Sequence, residues 1–113
     1  MSAIDTDMRE VINRKETLVN ILNKKLDEIL GVELDLKTRE RNLMDKTNWN
    51  DLFKTTNRVT DKQKNAYVED ILKKEYEKLA RLKNDVVILK NKVQLCNDEI
   101  SLCKYIIREK EVV

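Results

Sequence analysis

The chain has no histidine and no proline, a single glycine, and few aromatics: one tryptophan, one phenylalanine and three tyrosines in 113 residues. Without histidine, neither a Ser-His nor a Cys-His nucleophile pair can be assembled, and no imidazole is available to complete a metal site. Nothing resembles a glycine-rich loop cradling phosphates. These absences predict a non-enzymatic protein with no cofactor and no resident metal. With Gly31 as the sole glycine and no proline, the turns that sheets and α/β folds need are missing, which leaves long helices. Long apolar runs are absent too. The stretch Val86-Val87-Ile88-Leu89 is bounded by Asp85 and Lys90, so no membrane span is expected. The start, MSAIDTDMRE, has neither the basic start nor the apolar core of a signal peptide, and a cytoplasmic protein with reduced thiols is expected.

What is present is charge, at 39% of residues, nearly balanced between 23 Lys and Arg and 21 Asp and Glu. Such a chain buries a seam more easily than a globular core, and its length allows one domain. Alternating steps of four and three from Ile4 give Ile4, Met8, Val11, Lys15, Leu18, Leu22, Lys25, Ile29, Val32, Leu36, Arg39 and Leu43, of which nine of twelve are apolar. This is a heptad seam, widened by Ile12, Val19 and Leu26 one residue beyond it. A first helix over residues 5–44 is predicted. Gly31 has the character of a helix terminator, but the seam stays in phase beyond it, which favours one helix, bent at most.

Between residues 45 and 60 the repeat stops and Asn, Thr and Asp crowd in, residues whose side chains bond nearby backbone in caps and turns. Within this connection Trp49, Leu52 and Phe53 share one face of a single helical turn that Asn48 can cap, and they plug the end of a hairpin. Thr60-Asp61-Lys62-Gln63 matches the capping box, so a second helix is predicted to start at Asp61 and run to about residue 110. Its seam is stronger: Val68, Leu72, Glu75, Leu79, Leu82, Val86, Leu89, Val93, Cys96, Ile100, Cys103 and Ile107, eleven of twelve apolar.

The fold expected is therefore an all-α, elongated antiparallel hairpin or coiled coil with a short helical connection. Folded directly across the connection, it places Leu43 near Asp61, Leu36 near Val68, Leu22 near Leu82 and Met8 near Cys96, leaving the C-terminal turns overhanging. Lys25 and Glu75, polar intruders in their seams, then lie about a turn apart and pair, or else reach out to water. Ile88, Leu95 and Leu102 in one row, with Ile71 and Ile106 beside the seam, find no cover in a hairpin. Self-association into a helical bundle, with residues from Leu72 to Ile107 forming the seam, is the expected cover.

Twelve Lys and Arg against seven Asp and Glu lie between Lys46 and Lys92. Lys54, Arg58, Lys62, Lys64, Lys73 and Lys74, with Trp49 and Phe53, are the candidate contacts for a partner protein or for nucleic acid, the lysines and Arg58 on phosphates and the rings stacking on bases. Asp51, Asp61, Glu69 and Asp70 in the same stretch oppose that second reading. Neighbouring carboxylates such as Asp98 and Glu99 diverge on a helix and belong to a solvated face rather than a Mg²⁺ site.

Cys96 and Cys103 lie seven residues apart on one helical face, about 10.5 Å along the axis, too far for a disulfide with each other. Both occupy seam positions, where a free thiol packs as a small apolar group. In a parallel homodimer each would face its own copy, which makes mild oxidation a reporter of helix orientation.

The stretch TNWNDLFKTTNRVTDKQKNAYVED, and T-D-K-Q-K-x-A-Y within it, followed by a long Lys-rich helix, resembles small helical coiled-coil accessory proteins of bacteriophages of low-GC Gram-positive bacteria. The resemblance covers mainly residues 47–110 and transfers no functional residue. It implies a phage accessory or adaptor protein in the bacterial host cell, binding a replication or recombination factor or a host defence enzyme.

Overall fold

A computed structural model describes residues 3–112, and it is all-α: four helices and no strand among the described residues. Helix α1 spans Ala3–Lys46, α2 Trp49–Phe53, α3 Asp61–Ile71 and α4 Lys73–Val112. No described helix is long and apolar enough to cross a membrane. The contacts group into two units, Met1–Asp27 with Lys83–Val113, and Glu28–Leu82.

In the first unit, residues 3–27 of α1 pack antiparallel against residues 83–112 of α4. Arg14 meets Glu99 at 3.5 Å and Lys25 meets Asp85 at 3.8 Å, so the partner number falls as the residue number rises. Val11, Val86 and Cys96 are the buried apolar residues here, all on the predicted seams. The register differs from the expected one. Arg14 sits by Glu99 where Lys90 was expected, and Val11 shares its surroundings with Cys103, so Met8 does not lie against Cys96. Carried on antiparallel, the Arg14–Glu99 pairing brings Ala3 level with Lys110. The C-terminal turns do not overhang, and Ile106, expected to lack cover, is partly covered.

The second unit is built around Leu36, Trp49, Val59, Val68 and Leu72, with Val32, Leu43, Met44, Tyr67, Tyr76 and Leu79 packed against them. Leu36 and Val68 do share this core, yet Arg39 pairs with Glu75 at 3.0 Å and Tyr76 donates to the Glu40 carboxylate. A direct fold-back would have put Asn65 and Lys64 there. The first two turns of α3 are instead occupied by α2, where Tyr67 packs on Trp49 and Phe53. The connection needs a wall, and α3 supplies it before reaching α1. Lys25 and Glu75 consequently pair with Asp85 and Arg39 rather than with each other.

Local signals explain most element ends. Thr60 Oγ1 accepts from the Gln63 N–H at 3.2 Å while Gln63 Oε1 accepts from the Thr60 N–H at 2.9 Å, the reciprocal capping box. Asn48 caps α2 by accepting from the Asp51 N–H at 3.3 Å. Lys54 ends α2 at φ 51°, the left-handed conformation more usual for glycine or asparagine. The predicted single second helix is broken once. Leu72, only 3% exposed, takes φ −97° and ψ 12°, in the sparsely allowed region between helix and strand. Its N–H still reaches the Val68 carbonyl at 3.0 Å, and the Tyr76 N–H reaches the Leu72 carbonyl at 3.0 Å, so the hydrogen-bond ladder continues. No proline or glycine stands near, and the distortion falls on a side chain held in the core.

Helix α1 passes unbroken through Gly31, which has no positive φ and no neighbouring atom within 4 Å of where a Cβ would stand. Gly31→Ala is therefore expected to raise stability by about 0.5–1 kcal/mol, the mid-helix cost of glycine, read as a higher thermal midpoint by circular dichroism.

Candidate interaction surfaces

The aromatic plug forms in the connection because α2 is a single capped turn that puts Trp49 and Phe53 on one side. The two rings stack at 6.3 Å and 18°, and Tyr67 of α3 meets Trp49 edge-on at 5.6 Å and 90°. Aromatic pairs prefer these offset and edge-to-face geometries, which align ring edges with electron-rich faces. The indole N–H donates to the Met44 carbonyl at 3.2 Å, satisfying both the buried N–H and a carbonyl of the last turn of α1. Lys64 Nζ stands 5.9 Å from the Trp49 ring centre, a cation–π contact.

This geometry removes Trp49 from the candidate contact residues. The ring is 7% exposed, with neighbours on its faces and edge, so it has no face for a base to stack on. Sequence reasoning gave Trp49 two roles, plug and contact; burial leaves the plug. Phe53, 38% exposed beside Leu52 at 41%, remains accessible, and Lys54, Arg58, Lys62, Lys73 and Lys74 are exposed. The structure does not gather these charges in one place. Lys64 turns to Trp49, whereas Lys74 lines a groove with Lys78, Arg81 and Arg39. Arg39 was missed because it lies on the opposite helix, 36 residues before Glu75, and its trace in the sequence is its intrusion into an apolar seam. Asp35 and Glu75 sit in the same groove, and Arg39 bonds both, at 3.2 and 3.0 Å.

Apolar surface lies elsewhere. On α4, Ile88, Leu95 and Leu102 are 45%, 61% and 58% exposed, as their spacing predicts, and Tyr105 is 60% exposed. Ile71 is likewise exposed at 48%. The predicted seam residues Leu72, Leu79, Leu82, Val86, Leu89, Val93, Cys96, Ile100, Cys103 and Ile107 are all buried or half-buried. In each unit they are covered by this chain's own helices. Cys96, 2% exposed, is packed with Arg14 and Leu18 of α1, and both cysteines are free thiols. Among the described residues no group of three or more Cys, Asp or Glu converges to hold a metal ion.

Among the described residues, the Tyr76 phenol is held well above its ordinary range. Its burial, its hydrogen bond to Glu40, and the charges of Glu40 and Glu69 push the phenol from 10.0 up to about 12. Because the folded state holds this proton more tightly than the unfolded one, its contribution to stability is complete below pH 10. It is lost as pH rises through about 12. In an alkaline absorbance titration, the phenolate step near pH 12 should vanish in Tyr76→Phe and move lower in Glu40→Gln. Trp49→Ala should cost about 3–5 kcal/mol, the range for emptying a buried large aromatic site, seen as a lower midpoint in denaturant. No family model matches this chain, and no characterised protein or solved structure matches it either.

Proposed function

We propose that the chain is a non-enzymatic helical interaction protein that associates with itself and binds another protein. The observation that carries this reading is the row Ile88, Leu95 and Leu102, with Tyr105 at its end, which the chain's own helices leave outside. Contiguous apolar rows on soluble helices mark contact sites, because water penalises their exposure. The accessible Leu52 and Phe53, beside Lys54, offer a second contact for a partner protein. The resemblance to phage accessory proteins supports an adaptor working in the bacterial host cell on a replication or recombination factor, or on a host defence enzyme.

A second reading, nucleic-acid binding, draws on the groove where Arg39, Lys74, Lys78 and Arg81 converge. It is weakened by Asp35 and Glu75 in that groove and by the loss of Trp49 as a stacking platform. Phosphate binding predicts affinity that falls steeply with salt.

Light scattering across a concentration series should show a mass above one chain at micromolar protein. A fully helical monomer throughout would end the self-association reading. Electrophoretic mobility of single- and double-stranded DNA and RNA should be unaffected at low salt. A salt-sensitive shift abolished by Lys74→Glu would favour nucleic acid instead.

A further inference from the structure

The row on α4 has a charge pattern that selects one partner and one orientation. Ile88, Leu95 and Leu102 repeat every seven residues, so they lie on one face at intervals of about 10.5 Å. Lys92 and Glu99, seven residues apart, flank the row on one side, and Asn91 and Asp98 flank it on the other. All three charged residues are exposed. Asp98 accepts from the Gln94 amide at 3.0 Å and Glu99 meets Arg14 at 3.5 Å, contacts that hold the two carboxylates along this face.

Resting on the self-association reading above, we propose that this face docks on the same face of a second copy, antiparallel, with the two-fold axis at Leu95. That axis brings Leu95 against its own copy and Ile88 against Leu102 twice, so every apolar residue of the row meets an apolar residue. It also sets Lys92 beside Glu99 of the other copy on one flank, and Asn91 beside Asp98 on the other, at both ends. A two-fold contact must be self-complementary in this way. Other alignments fail on charge. A parallel pairing sets Glu99 beside Asp98 on both flanks. An antiparallel shift by one heptad sets Lys92 beside Lys92 and Glu99 beside Asp85, and the opposite shift sets Glu99 beside Glu99 and drives Ile88 onto Glu109. Like charges held opposite one another across a contact select against such registers.

The cysteines now discriminate. In this dimer Cys96 stays inside its own chain and Cys103 lies level with Val87, so neither thiol meets its copy. With oxidised glutathione, the full-length wild-type chain should remain free of interchain disulfide, whereas Leu95→Cys should convert to a covalent dimer. Mixing Ile88→Cys with Leu102→Cys should give a crosslink that neither gives alone. Lys92→Glu should weaken the dimer about tenfold by sedimentation, from two pairs turned repulsive, and Lys92→Glu with Glu99→Lys should restore it. Helicity by circular dichroism checks that each variant folds. Crosslinking of the wild type through Cys103, or a dimer that persists while Leu95→Cys does not crosslink and the charge swap rescues nothing, overturns this arrangement but leaves self-association standing. A monomer at every concentration removes both.

Discussion

The burial of Trp49 is the contact on which the second unit depends. Residues 47–60 have too few apolar side chains to fold by themselves, and α2 is a single turn, far shorter than a helix stable alone in water. The indole ties three elements together: it lies on α2, its N–H reaches the carbonyl of Met44 on α1, and its edge takes Tyr67 of α3. Val59, 5% exposed, closes the same core just before the capping box starts α3. With the connection anchored, α3 spends its first turns on α2, and this sets which residues of α1 the following chain can reach.

Polar residues then select among apolar alignments. Heptad seams alone are nearly indifferent to a shift by one repeat, because Leu, Val and Ile substitute for one another at little cost. The pairs Arg39–Glu75, Lys25–Asp85 and Arg14–Glu99 are exposed or half-exposed and worth at most about 1 kcal/mol each. Their effect is larger as a difference, since a slipped register loses all of them. The same reasoning extends to the outer face of α4, where Lys92 and Glu99 distinguish alignments that Ile88, Leu95 and Leu102 would accept equally.

Much of this architecture was legible residue by residue. Thr60 and Gln63 announce their capping box, Asn48 its short helix, and the four-and-three spacing over Ile4 to Leu43 and Val68 to Ile107 names the buried positions outside the connection. The exposed row at Ile88, Leu95 and Leu102 was legible for the same reason, since two seven-residue spacings along a helix determine its face. Other features left no local trace. Leu72 interrupts the second helix without a proline or glycine, Lys54 turns left-handed without being glycine or asparagine, and Arg39 reaches the lysines of α4 from the other helix.

Sequence alone thus determined the helices, their caps and their apolar faces, because these follow from interactions within about four residues along the chain. Tertiary structure decided the register and the partners of Lys25, Arg39 and Glu75. Each of these depends on how many residues the connection takes up in packing against α3. That is a long-range quantity, set by the shape of an aromatic core, which no spacing of residues along one helix encodes.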